Sequence, residues 1–106
     1  MVHVLVSPEA MLAAAAELDL LADRLAGVAA LAGPATHVGP SGLDEVSLLA
    51  AQHFNKAAIT HDQSVAQGVL ELHHAAATLR IQLAQYLAQD VARAGAITAV
   101  GGALGV

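Results

Sequence analysis

Pro8, Pro34 and Pro40 all fall in the first forty residues of the chain, and no proline follows them. Proline inside a helix removes a backbone donor and clashes with the carbonyl four residues back, so its placement partitions a chain early in any reading. Residues 41–106 contain no such break, and the only glycine there before Gly95, apart from Gly42 at the outset, is Gly68. Gly33-Pro34 and Gly39-Pro40 separate this stretch from a shorter one that begins at Pro8. The spacing leaves room for a short helix and a very long one, without the frequent turns a sheet requires.

Composition supports the same class. The chain is 57% hydrophobic but has one Phe, one Tyr and no Trp, so its apolar mass is Ala, Leu and Val. Ala and Leu lead the helix propensity order, and the expected fold is all-α. A length of 106 residues allows one domain of marginal core size. The net charge of −5, with no basic cluster, excludes nucleic acid as a partner. The absence of Cys fits an oxidising or a reducing compartment equally. No Lys or Arg precedes Arg24, and Glu9, Glu17, Asp19 and Asp23 interrupt the apolar run, so these residues are not expected to act as a cleavable signal peptide. Residues 94–106 are uncharged, yet they fall short of the roughly 20 apolar residues of a membrane span. They are expected to form a flexible Gly/Ala-rich tail.

Ser7 is a favourable N-cap, Pro8 fits the first helical position, and Glu9 complements the helix dipole. Helix one is predicted over about 8–32, with Met11, Ala14, Leu18, Leu21, Leu25, Val28 and Ala32 recurring at spacings of three and four. Gly33-Pro34 is expected to end it, leaving a loop at 33–41. Ser41 and Asp44 resemble a capping pair, which starts helix two near residue 42 and carries it to about Arg93. The hairpin domain is therefore predicted over 1–93. A heptad row of Ala58, Val65, Leu72, Leu79 and Tyr86 is flanked by Val69, Ala76, Leu83 and Asp90; its members Ala58, Val65, Leu72 and Leu79 are expected to meet helix one at Leu18, Leu21, Leu25 and Val28, while Tyr86 and Asp90 fall beyond the reach of helix one.

Helix two carries a further apolar row, Ile59, Ala66, Leu70, Ala77, Ile81, Ala84 and Ala88. One partner helix cannot cover two rows. Either helix two breaks near Gly68 and folds back, or an antiparallel hairpin forms half of a four-helix bundle completed by another chain. In the second case the uncovered part of helix two includes Leu70, Leu72, Leu79, Ile81, Leu83, Tyr86 and Leu87, and the expected partner interface joins Leu70, Leu72, Leu79, Ile81 and Leu83 to Phe54, Ile59 and Ala66 of helix two and to Leu18, Leu21 and Leu25 of helix one. A second copy of this chain would serve as well as a different protein, giving a homodimeric structural bundle.

The candidates for chemistry are sparse. Glu71-Leu-His-His74 has the Glu-x-x-His spacing of di-metal bundles, but there is no second such motif and no further pair of carboxylates in facing positions. His73 and His74 are read as flank residues of a polar strip, and His53 and His61 as partly buried near the seam. No pair of acids is set up for acid and base roles, and no nucleophile elbow or phosphate loop is present. Catalytic residues, cofactor and metal are all predicted to be none. Tyr86 and Asp90 lie one turn apart on the same side of helix two. Pattern alone leaves two readings open: a ring capping the bundle edge, or a compact recognition surface.

Ser7-Pro8-Glu9, the Ala-rich run Ala10 to Leu31, Asp44-Glu-Val-Ser47, Phe54 and Tyr86-Leu-Ala-Gln-Asp90 together resemble the PE family of mycobacterial proteins. The resemblance extends over about residues 1–93, with Pro8 and Glu9 as its N-terminal motif. It implies a hairpin that pairs with a PPE-family protein and is exported by a type VII secretion system. It further implies that Tyr86 and Asp90 belong to the export signal, and that a secretion chaperone binds through the PPE partner. The expected destination is the cell surface, the envelope or the medium, reached from a transient cytoplasmic complex. His3, His53, His61, His73, His74 and the Gly39-Pro-Ser-Gly42 turn depart from the blander family pattern.

Overall fold

The structure, a computed structural model, describes residues 7–105. His3 and the predicted domain boundary at residue 1 lie outside the described residues. Two helices, α1 (Pro8–Thr36) and α2 (Glu45–Ala103), account for nearly all of the rest. They run antiparallel, as the pairing of Asp19 with His73 and of His37 with Asp62 requires. At 1.5 Å per residue α2 is roughly 88 Å long and α1 roughly 44 Å, so α2 sets the 92 Å length of the molecule.

The start of α1 follows from its sequence. Ser7 Oγ accepts from the Ala10 N–H at 3.3 Å, Pro8 occupies the first turn and Glu9 lies beside the positive end of the dipole. The end does not: α1 passes through Gly33-Pro34 and stops at Thr36, against the expected end near residue 32. A proline ring normally clashes with the Cβ of the residue before it, and Gly33 has none. The last turn closes on the Gly33 carbonyl, which accepts from the His37 N–H at 3.1 Å and from Thr36 Oγ1 at 3.1 Å.

Helix α2 also begins later than predicted. Its N-cap is Asp44, which accepts from the Ser47 N–H at 3.1 Å and from Ser47 Oγ at 2.7 Å, and these bonds hold its carboxyl below the usual value of 3.8. Ser41 stays in the loop and donates to Ser47 Oγ at 3.3 Å. The helix is continuous past Gly68, where a Cβ would only touch Leu25 Cδ2 at 4.0 Å, so the fold-back alternative does not occur. It also continues ten residues beyond Arg93, through the stretch expected to be a flexible tail. Glycine weakens a helix by about 1 kcal/mol without forbidding it, and Ala94, Ala96, Ala99 and Ala103 favour continuation. Gly105, at φ +72°, supplies the left-handed residue that ends the helix.

Between the helices, Asn55 of α2 holds the loop with its side-chain amide. Its Oδ1 accepts from the Val38 N–H at 2.8 Å and its Nδ2 donates to the Val38 carbonyl at 2.7 Å. Both backbone groups of Val38 are thereby satisfied by a single side chain.

Candidate partner-binding surface

The seam between the helices is built from alanine. The buried residues are Ala15 and Ala22 of α1 with Ala51, Ala58, Ala76 and Leu83 of α2, and no large side chain is fully buried. On α1 the line runs through Met11, Ala15, Leu18, Ala22, Leu25 and Ala29. It shares Met11, Leu18 and Leu25 with the predicted line but takes the other flank between them. Leu21 and Val28, expected to meet α2, remain 47% and 63% exposed. Helix spacing depends on the side chains at the contact, and alanine at every second position lets the axes close to a distance that Leu21 and Val28 would hold apart. On α2 the heptad row behaves as read, with Ala58, Ala76 and Leu83 buried and Val65, Val69, Leu72 and Leu79 half-buried.

This seam accounts for five residues assigned to a partner interface. Leu18, Leu25, Leu72 and Leu79 are half-buried and Leu83 is buried within the hairpin itself, because α1 covers more of α2 than was expected. Leu21, Phe54, Ile59, Ala66, Leu70 and Ile81 stand exposed. All but Ala66 belong to a larger set: twenty large apolar side chains among the described residues are exposed, Ile59 at 52% and Leu70 at 63% among them. Beside the seam an apolar groove of about 600 Å³ is lined by Ala26, Ala29, Ala30 and Gly33 of α1 and by Asp62, Val65, Ala66, Val69 and Leu70 of α2.

Beyond Leu83 nothing covers α2. Every residue from Ala84 to Val100 is exposed, including Tyr86 at 49% and Asp90. The two lie on the line that α1 covers farther down, just past its start, and with Leu87 and Ile97 they form an uncovered continuation of the seam.

Polar contacts across the seam were less visible in the sequence. His73 donates through Nδ1 to Asp19 Oδ1 at 2.7 Å, Arg80 donates to Asp19 Oδ2 at 2.6 Å, and His73 Nε2 lies 3.6 Å from Asp23. The His73 and then the Arg80 hydrogen bond lower the Asp19 carboxyl below its ordinary range. Near the loop, His37 Nε2 stands 3.0 Å from Asp62 Oδ2. His73 is thus an interhelical contact and more than a flank residue, whereas His53 and His61, expected near the seam, are exposed. The available signal was the spacing: His73 and Arg80, and Asp19 and Asp23, are separated by two turns and one turn and so share a face. Glu71 and His74 stay exposed, and among the described residues no three metal-ligating side chains converge. No helix among the described residues is long and apolar enough to cross a membrane.

Two long antiparallel helices, an alanine seam and a second helix that outruns the first define an extended all-α hairpin. The chain belongs to the PE family, whose model matches residues 4–93. It is 40% identical over 98 residues to the PE family immunomodulator PE5 of Mycobacterium tuberculosis, covering 92% of this chain and 96% of that protein. It is likewise 40% identical over 98 residues to PE family protein PE13 of the same organism, covering 91% of this chain and 98% of that one. No solved structure matches it. Members of the family generally pair with PPE proteins, are known as non-enzymatic, and in mycobacteria are commonly secreted or located in the cell envelope.

Proposed function

We propose that this chain is a non-enzymatic interaction module that forms a heterodimer with a PPE-family protein and carries a type VII export signal at Tyr86 and Asp90. The observation that carries the proposal is the inverted burial: alanines fill the seam while Leu21, Val28, Ile59, Leu70 and Ile81 face outward. A hairpin that buries so little gains too little from water exclusion to offset the ordering of its backbone. A partner covering ~1,000 Å² of the apolar surface contributes about 25 kcal/mol gross before association costs. Tyr86 and Asp90 fit the signal role because folding of the hairpin makes no use of them. The secretion chaperone then engages the complex through the PPE subunit, and the pair leaves the cytoplasm for the surface, the envelope or the medium.

The test is expression of the chain alone and beside a PPE protein from the same host, followed by sedimentation. A one-to-one heterodimer, with aggregation or degradation of the chain when made alone, is the expected outcome. A stable, cooperatively unfolding monomer refutes the pairing, and a discrete dimer of the chain with itself supports a homodimeric bundle instead.

A further inference from the structure

The groove beside the seam has walls and ends of different chemistry. Its walls are Ala26, Ala29, Ala30 and Gly33 on one side and Val65, Ala66, Val69 and Leu70 on the other, so its floor is set mainly by Cβ atoms. A depression of about 600 Å³ made by small residues is filled by large ones, because close packing places bulky side chains opposite small ones. Its ends are polar. Asp62 lines the groove near the loop, paired to His37 at 3.0 Å. Toward the other end, Asp19 and Asp23 share the flank of α1 that carries Ala26 and Ala30, and they meet His73 and Arg80. Three carboxylates thus bracket the groove against one fixed cation, Arg80.

We infer that this groove seats a helix of the partner that carries bulky apolar side chains at spacings of three and four, bracketed by Lys or Arg about three turns apart. The separation follows from Asp62 and His73, which stand eleven residues apart on α2, or roughly 16 Å. Charge decides the kind of occupant. A second copy of the chain, itself at −5, would bring Asp19, Asp23 and Asp62 against carboxylates of its own kind, and like charges across an interface are disfavoured. A helix with basic flanks meets those carboxylates favourably. The inference rests on the heterodimer proposed above and goes beyond it by naming the face that pairs and the chemistry that pairs with it.

The chain has no cysteine, so a single introduced thiol reports on one place alone. Ala66→Cys in the groove wall and Ala13→Cys on an exposed turn of α1 are each co-expressed with the PPE protein, and alkylation by N-ethylmaleimide is timed in the complex and in the chain alone. The A66C thiol is expected to react at least about tenfold more slowly in the complex, since a covered site reacts only through opened states, while A13C reacts equally in both. Replacing Asp23 and Asp62 together by Lys is expected to lower recovery of the complex severalfold. Equal A66C rates in an intact complex overturn the inference and leave the heterodimer standing. Protection of A66C in a discrete dimer of the chain with itself, recovered by sedimentation free of aggregate, assigns the groove to a second copy and overturns the inference. Failure of the wild-type chain to pair with any PPE protein removes both proposals.

Discussion

Exchanging the sizes of Leu21 and Ala22 tests the assignment of the seam more directly than any deletion. Ala22 has no exposed surface and lies between the helices, whereas Leu21 is 47% exposed on their outer flank. Ala22→Leu forces three more carbons into a closed contact, and overpacking of this kind costs about 1–3 kcal/mol. Leu21→Ala removes a side chain that is only half covered, so the loss is about 1 kcal/mol, half the value of a fully buried Leu, and the better helix propensity of Ala offsets part of it. The variants therefore differ by about 1–2 kcal/mol, with Ala22→Leu the less stable. In a domain of this size 1 kcal/mol moves the melting temperature by about 4–8 °C, so Ala22→Leu is expected to melt about 5–15 °C below Leu21→Ala. Far-UV circular dichroism of the hairpin alone, held folded by a stabilising osmolyte such as trimethylamine N-oxide and kept dilute at one fixed concentration, reads the difference. If Leu21→Ala melts at or below Ala22→Leu, the seam follows Leu21 and Val28 and the alanine assignment is wrong.

Among the described residues Leu83 is the one large residue in the core at 4% exposed, and Leu83→Ala is expected to cost about 2–4 kcal/mol in urea unfolding run in the same osmolyte; a change indistinguishable from zero would show that α1 does not reach it. Ser7→Ala removes the cap of α1 and should cost about 1 kcal/mol in the same assay, largely restored by Asn at that position. Asp19 has its carboxyl depressed by His73 and Arg80, so its stabilisation is complete above the unfolded value of 3.8 and is lost as the pH falls through the lower folded value. The stability gap between wild type and Asp19→Asn should accordingly close on acidification, and a gap that stays constant through the acid range contradicts the contact. Tyr86→Ala and Asp90→Ala are expected to abolish secretion from the native host while the complex with the PPE protein still assembles; normal secretion of both variants removes the export reading.

Caps and periodicity made much of this architecture legible. Ser7-Pro8-Glu9 starts a helix where local chemistry requires it, and the row through Ala58, Val65, Leu72 and Leu79 needed only its sevenfold spacing to be found. Boundaries were harder because their determinants compete. Gly33-Pro34 reads as a stop on average, yet a glycine before the proline relieves the clash that makes it one. Ser41 and Asp44 are both good caps, and the carboxylate prevailed through its two bonds to Ser47. The choice of flank on α1 escaped the sequence for a different reason. Lines through Leu21 and Val28, or through Ala22 and Ala29, are equally periodic, and favouring the larger residues assumes that the chain fills its own interior. A protein completed from outside reverses that preference. For the surface, Ile59, Ala66, Leu70 and Ile81 were recognisable from a second apolar row, but the groove and its bracketing carboxylates arise only when two distant segments are placed side by side.

The continuity of α2 past Gly68 has a consequence for how the molecule is handled. From Glu45 to Tyr86 an unbroken helix covers roughly 60 Å, about twice the diameter of a small domain. One receptor at the loop and another at the Tyr86 end would not collide. Successive handlers of this chain can thus overlap in time, the second taking hold before the first lets go.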